Sequence, residues 1–281
     1  MPEASFTESF QHLGFSSYRA KHLANLIEQN PVADHQTLLY WAKLYISTFQ
    51  QSIIFCKNTD QNGATANASI KTDPRGNDEP KEIEIVHVDE EDNESNELVN
   101  CYKAQNTEKI ADTTYWFHGT NKESAEDIVK KGINLKRGKE NSDFSDGAGF
   151  YITPNFDFAQ TWAQRIHKKD GAVVVFKVEN DLFRGGFELS RENSEKWGKV
   201  VRYFRNGCKE VNLDYLDEYP YIFGPISKDG MKSQNNPNWN PRMRSDPILG
   251  NHLYQICLKD KTLANDFYKK GQNVEKVLFF V

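Results

Sequence analysis

Apolar side chains recur at helical intervals in two N-terminal stretches, near residues 17–29 and 36–54. In the second, Leu38, Ala42, Tyr45, Ile46, Phe49 and Ile53 fall along one stripe, the pattern of an amphipathic helix laid on a core. A helical hairpin is expected there, and its stripe reads as packing surface rather than as a ligand site. From Lys57 to about Pro80 large apolar residues nearly vanish, and Asn, Asp, Gly, Thr and Lys dominate. Too little burial is available to offset ordering entropy, so a flexible linker is expected. Between Glu82 and Asn100 a short strand-like alternation, Ile83, Ile85 and His87, meets the acidic run Asp89-Glu90-Glu91-Asp92. That run reads as solvated surface, with an acidic binding tail as the competing reading.

Beyond Lys109 strand-like and helix-like segments alternate with clear punctuation. Tyr115 to His118 predicts a strand. Thr120-Asn121-Lys122-Glu123 has capping-box spacing, and Ala125, Ile128 and Val129 form a helix stripe ended by Gly132. Gly149 to Thr153 predicts a second strand, followed by a helix carrying Phe158, Ala159, Trp162, Ala163 and Ile166. Ala172 to Val178 reads as a central strand buried on both faces. A helix is expected over 194–206, where Trp197, Val200, Val201 and Phe204 recur at helical steps. Strands are expected at Tyr219–Ile226, Leu253–Leu258 and Lys276–Val281. The expected class is α+β, in three parts: a helical region over 1–57, an acidic, Asn-rich linker over 58–108, and a catalytic domain over 109–281. The long segment from Ser227 to Asn251, with Pro237, Pro241 and Pro247, reads as a functional loop or as a disordered insertion.

Composition narrows the classes. With 281 residues and 38% hydrophobic content the chain can build one sizeable core and a smaller helical part. A formal charge of −5 lacks the basic excess that binding a phosphate backbone needs, so nucleic acid is an unfavoured partner. Cys56, Cys101, Cys208 and Cys257 show neither CxxC pairing nor zinc-finger spacing. They read as free thiols in a reducing compartment, with no metal. No stretch reaches transmembrane length and no basic leader precedes an apolar run, so a soluble protein off the membrane is expected.

The candidate chemistry lies in ordered company. Phe117-His118-Gly119-Thr120 at a strand end is joined about thirty residues later by Asp143-Phe144-Ser145-Asp146-Gly147-Ala148-Gly149-Phe150-Tyr151-Ile152-Thr153, then by the Ala159 and Trp162-Ala163 helix and by Tyr221-Ile222-Phe223-Gly224-Pro225-Ile226. Over about 110–281 this series resembles the ADP-ribosyltransferase superfamily. The likeness is to its diphtheria-toxin-like and poly(ADP-ribose)-polymerase-like branch with a His-Tyr-acidic triad, within a bacterial and fungal subgroup. The resemblance implies split mixed and antiparallel sheets with flanking helices. It implies NAD+ as a substrate, with no metal, and mono-ADP-ribosylation of a target protein, arginine being a possible acceptor. The added helical region suits a bacterial effector delivered into a host cytoplasm without a cleaved signal, whose acceptor is then a host protein.

Cleaving the bond between nicotinamide and ribose develops oxocarbenium character, so such a site must hold a bent dinucleotide and stabilise positive charge. By resemblance, His118 hydrogen-bonds the adenosine-side ribose and the Gly119 backbone holds the nicotinamide amide, with Thr120 beside it. Tyr151 stacks on nicotinamide and Thr153 supports the strand. Arg137, with Lys136 and Lys139, stands in a loop that can meet the pyrophosphate, although each of the three taken singly reads first as a solvated cation. Trp239, Arg242 and Arg244 of the long loop are expected to touch the acceptor. The position where the family carries a catalytic glutamate holds Gln255, which can bond ribose hydroxyls but cannot act as a base. Three explanations stay open: Gln255 suffices, a loop carboxylate such as Asp143, Asp146 or Asp246 reaches the site, or NAD+ is bound without turnover. Further alternatives are an NAD glycohydrolase, a nucleic-acid-modifying ADP-ribosyl- or 2′-phosphotransferase relative, and a non-catalytic interaction module.

Overall fold

A computed structural model describes residues 6–12, 20–21, 24, 68–73, 79–89, 92–103, 115–206, 213–228, 239–246 and 252–280. The expected helical hairpin falls outside the described residues apart from isolated positions, as do Cys56, Cys208 and the loop segments 229–238 and 247–251. The chain divides into two compact units, 1–63 with 245–251, and 64–244 with 252–281. Of the first, helix α1 (Phe6–His12) is described. All that follows concerns the second.

Its centre is strand β5 (Gly171–Lys177), whose run Ala-Val-Val-Val-Phe is buried throughout, as expected for a strand covered on both faces. Four more strands join it: β1 (Ala68–Lys71), β2 (Glu82–Val88), β3 (Tyr115–Asn121) and β9 (Val274–Phe280). Together they form a five-stranded sheet in the order β1-β2-β9-β5-β3. Only β2 and β9 run parallel in it. Strands β4 (Phe150–Ile152), β6 (Phe187–Glu188), β7 (Tyr221–Pro225) and β8 (Tyr254–Leu258) make a four-stranded sheet in the order β4-β8-β7-β6. The two sheets are joined at one isolated bridge, where Phe117 and Thr153 exchange N–H to carbonyl bonds of 2.9 and 3.0 Å.

Three apolar clusters define the layers. One draws on both sheets, with Trp116, Val174 and Phe176 meeting Phe150, Ile152, Ile256 and Leu258. A second puts Phe117, Val173 and Val175 against helices α2 (Asn93–Lys103) and α4 (Phe156–His167). The third puts Ile222 and Cys257 against Phe144 and helix α5 (Ser194–Asn206). The order is therefore helix, sheet, sheet, helix, which agrees with the α+β expectation.

The stretch expected as a linker over 58–108 needs correction. It carries β1, β2 and α2, and the compact unit begins at Ala64 rather than near Lys109. The partner of β2 is the C-terminal β9, about 190 residues away, and Lys81 adds a tie by donating to the carbonyls of Gly271, Gln272 and Val274. Local composition carries no trace of so distant a partner. The cap of helix α3 (Lys122–Lys131) also shifts by one residue: Asn121, not Thr120, accepts from the Ser124 N–H at 2.7 Å, because β3 extends through Asn121. At the other end Gly132 takes φ 86, a left-handed value that favours glycine. Cys101 is disulfide-bonded while Cys257 is free and buried, so the expectation of a free thiol is corrected at Cys101. Among the described residues no helix is long and apolar enough to cross a membrane.

At Gly119 the strand lies hard against α4. A Cβ there would sit 2.3 Å from the carbonyl oxygen of Ala159, so any side chain must push helix and strand apart. Gly119→Ala is expected to lower stability by about 1–3 kcal/mol, read as an earlier urea midpoint. An unchanged midpoint would disprove the close contact.

Candidate functional site

His118 stands one residue past the bridge that joins the sheets. Its Nδ1 lies 2.6 Å from the Tyr151 carbonyl oxygen. A carbonyl only accepts, so Nδ1 carries the hydrogen, and in the neutral ring Nε2 is left as an acceptor. The ring stacks on Phe150, with centroids 4.2 Å apart and planes at 25°. Burial drives its pKa down to about 4, with an opposing pull from the Tyr151 carbonyl and a smaller push downward from His167. His118 is therefore a fixed, uncharged hydrogen-bonding group at neutral pH.

Beside it, β3 is the edge of its sheet. Phe117 turns its N–H and carbonyl outward to Thr153, and strand alternation turns those of Gly119 to the same edge. Among the described residues no strand pairs with that edge beyond Thr153. Ala159 of α4 backs the same glycine. One turn on, Trp162 is exposed, although the sequence pattern places it on the helix's packing stripe; the buried positions are Phe156, Ala159 and Ala163. The Arg165 guanidinium lies 5.0 Å from the Trp162 ring, and that of Arg244 lies 5.5 Å from the ring of Phe158. Trp162 and Phe158 are 6.2 Å apart, so the two rings adjoin and each carries one guanidinium.

Tyr151 and Gln255 sit on the other side of β4. Phe150 and Ile152 enter the cluster between the sheets, whereas Tyr151 packs toward α5. Its hydroxyl accepts from the Phe144 N–H at 2.9 Å and lies 3.1 Å from Ser145 Oγ. Burial raises its pKa well above the ordinary phenol value. The residue thus meets His118 through its carbonyl and not through its ring.

Gln255 lies on β8 opposite Gly224. Its Nε2 donates to Asp143 Oδ2 at 2.7 Å. Asp143, only 3% exposed, also accepts from the Ser227 N–H (2.9 Å), Ser227 Oγ (2.7 Å) and Arg205 Nε (2.5 Å). Four donors satisfy a buried carboxylate whose isolation would be prohibitive. Of the three loop carboxylates that are candidates from sequence, Asp143 is the one brought to Gln255; Asp146 is exposed, and Asp246 belongs to the other compact unit.

The remaining candidates divide. Thr153 is buried, donating from Oγ1 to the Tyr254 carbonyl at 2.7 Å, and so holds the sheet junction. Thr120 is half-buried on β3. Arg137 is drawn to Asp127 of α3 at 2.6 Å, where Lys131 and Arg137 together depress the Asp127 pKa; the pyrophosphate role expected of it gains no geometric support. Trp239 packs against the α5 cluster and Arg242 is exposed. Arg244 bonds through its backbone to Ile226 and Leu253, and Lys228 bonds to the Arg242 carbonyl, so the described part of the long loop is stitched across the ends of β7 and β8. The sequence singles out neither Ser227 nor Arg205, whose partners are distant in the chain. Among the described residues no group of three or more His, Cys, Asp or Glu is arranged to hold a metal.

A family model described as a protein of unknown function (DUF3990) matches residues 114–237, less than half of the chain. The matched stretch takes in His118, Asp143, Tyr151 and Arg205 and ends before Gln255. Neither a curated protein nor a solved structure matches the chain.

Proposed function

We propose that this protein is a mono-ADP-ribosyltransferase that cleaves NAD+, releases nicotinamide and transfers ADP-ribose to a protein side chain. The observation that carries the reading is the edge of β3: a glycine backbone N–H and carbonyl beside a neutral, oriented histidine. A carboxamide has one donor and one acceptor side by side, and a glycine at a strand edge offers their complements without a side chain in the way. His118 Nε2 accepts from a ribose hydroxyl, and its Nδ1–H bond to Tyr151 holds that acceptor in place.

The aromatic face for nicotinamide is then supplied by Trp162, since the hydroxyl of Tyr151 is tied into the loop at Phe144 and Ser145. Arg165 and Arg244 bring positive charge to the adjoining rings of Trp162 and Phe158, which suits the pyrophosphate. With bond breaking running ahead of attack, the site needs orientation and charge stabilisation more than a strong base, and Gln255 supplies an acceptor. The acceptor side is assigned to the long loop that carries Trp239, Arg242 and Arg244.

Incubated with NAD+ and a cell lysate, the protein is expected to release nicotinamide and label protein. His118→Ala should slow release by roughly a hundredfold or more. Release without protein label would make it a glycohydrolase; no release by the wild type would end the reading. Trp162→Ala is expected to raise KM for NAD+ about tenfold, with Trp162→Phe near normal; equal kinetics in all three would remove Trp162 from the site.

The pH profile is a separate check. The depressed His118 pKa means that its neutral form persists below pH 6.5, where an ordinary histidine charges, and is lost as pH falls through about 4. Protonation there turns Nε2 from acceptor to donor. The acid limb of kcat/KM should fall near pH 4 and show no break near 6.5; a break at 6.5 that vanishes in His118→Asn would contradict the buried tautomer. The same group makes folding stability largest above pH 6.5 and smaller as pH drops from 6.5 toward 4.

A further inference from the structure

We propose that Asp143 is a positioning residue that fixes the amide of Gln255, so that this loop aspartate and strand glutamine act together where a single glutamate would otherwise stand. This rests on the transferase reading for its catalytic meaning. The geometry is independent of it.

A carboxylate offers only acceptors, so only the NH2 end of Gln255 can face Asp143 at 2.7 Å. The carbonyl Oε1 is thereby turned away from Asp143. Donation to a negative charge also draws electron density onto Oε1 and makes it a stronger acceptor for a ribose hydroxyl. Asp143 is not free to serve a substrate itself, because its carboxylate already holds three further donors, from Arg205 and from the Ser227 N–H and hydroxyl. The network also explains why residue 255 is not glutamate. A second carboxylate at hydrogen-bond distance from Asp143 would face a like charge in a buried setting, and one of the two would have to hold a proton. Asp143 of the loop meets Gln255 directly, and the titratable groups that act on Asp143 in turn are Arg205 of α5, Tyr151 of β4 and Cys257 of β8.

The test compares Asp143→Asn, Gln255→Glu and the double variant with the wild-type chain. Thermal unfolding comes first. Each single change is expected to lower Tm by roughly 5–10 °C at pH 7.5. The loss in Gln255→Glu should shrink at pH 4–5, where one carboxyl is protonated, and grow as pH rises through the elevated pKa of the pair. In the double variant the introduced asparagine amide donates to the introduced glutamate, which reverses the polarity of the bond and should recover most of the lost Tm. A Gln255→Glu deficit that does not change with pH, or a double variant whose loss equals the sum of the singles, overturns the proposal. If Gln255→Glu does not fold at neutral pH, the double variant still decides: it folds if the pair is coupled and fails if the glutamate alone is at fault.

Nicotinamide release is the second readout. Asp143→Asn frees the amide to turn over and should lower kcat ten- to a hundredfold, roughly, with KM for NAD+ little changed; an unchanged kcat removes the positioning role. Absence of release by the wild type would sink the proposed function, while the Tm series would still decide whether Asp143 and Gln255 are coupled.

Discussion

The bridge between Phe117 and Thr153 is the constraint on which the arrangement depends. Two hydrogen bonds are the only strand pairing seen between the sheets among the described residues, and His118, Gly119, Phe150 and Tyr151 all lie within a few residues of them. They set the register between β3 and the run after β4, which brings the His118 ring onto Phe150 and its Nδ1 to the Tyr151 carbonyl. Thr153 reinforces the junction by donating its hydroxyl to Tyr254 and accepting from the Asn155 N–H that opens α4. The start of α4 is thus fixed to the same point, and with it the contact of Ala159 with Gly119. The apolar cluster shared by both sheets then supplies what two hydrogen bonds alone could not, since burial of that size dominates the stability of any such packing.

A second constraint is electrostatic. Burying Asp143 would be unfavourable without compensation, and the chain meets that demand with donors from three separate places: Arg205, Ser227 and Gln255. Removing any one leaves the others around a partly satisfied charge, so the network behaves as a unit. Its consequence for the fold is to pin the 139–149 loop to α5 and to the start of the long loop. That long loop is therefore anchored at the Ser227 end, and the Arg244 backbone anchors it again between Ile226 and Leu253.

What can be read from sequence is whatever is recorded locally. The apolar run of β5, the Gly149–Thr153 strand, the α5 stripe and the helix stop at Gly132 all carry their periodicity in adjacent residues, and the structure has each of them. The β1–β2–α2 segment is legible only in part: the Ile83, Ile85 and His87 alternation falls in β2, but the polar composition points to a linker and the partner strand β9 lies far along the chain. Trp162 reads as a packing residue because Phe158, Trp162 and Ala163 all suit an apolar stripe; which arc of the helix meets the sheet is decided by Gly119 and Gly171, whose missing side chains admit Ala159 and Ala163. Asp143 can be named from sequence as one of three carboxylates, but choosing among them requires knowing that the loop folds over β8.

Tyr151 connects these levels. Its carbonyl orients His118 on one side of β4, and its hydroxyl receives Phe144 and meets Ser145 on the other, close along the chain to Asp143. The β3 edge and the buried carboxylate network, which face opposite sides of the strand, are therefore held by a single residue at two different atoms. A change at Ser145 or Phe144 that shifts the Tyr151 ring is transmitted to the histidine only through the backbone, which is stiff in a paired strand such as β4 against β8. Loss of the hydroxyl loosens the loop and spares the His118 bond, whereas displacement of the β4 backbone disturbs both. In this protein the tyrosine is accordingly better understood as the joint between two parts of the site than as a ring awaiting a ligand.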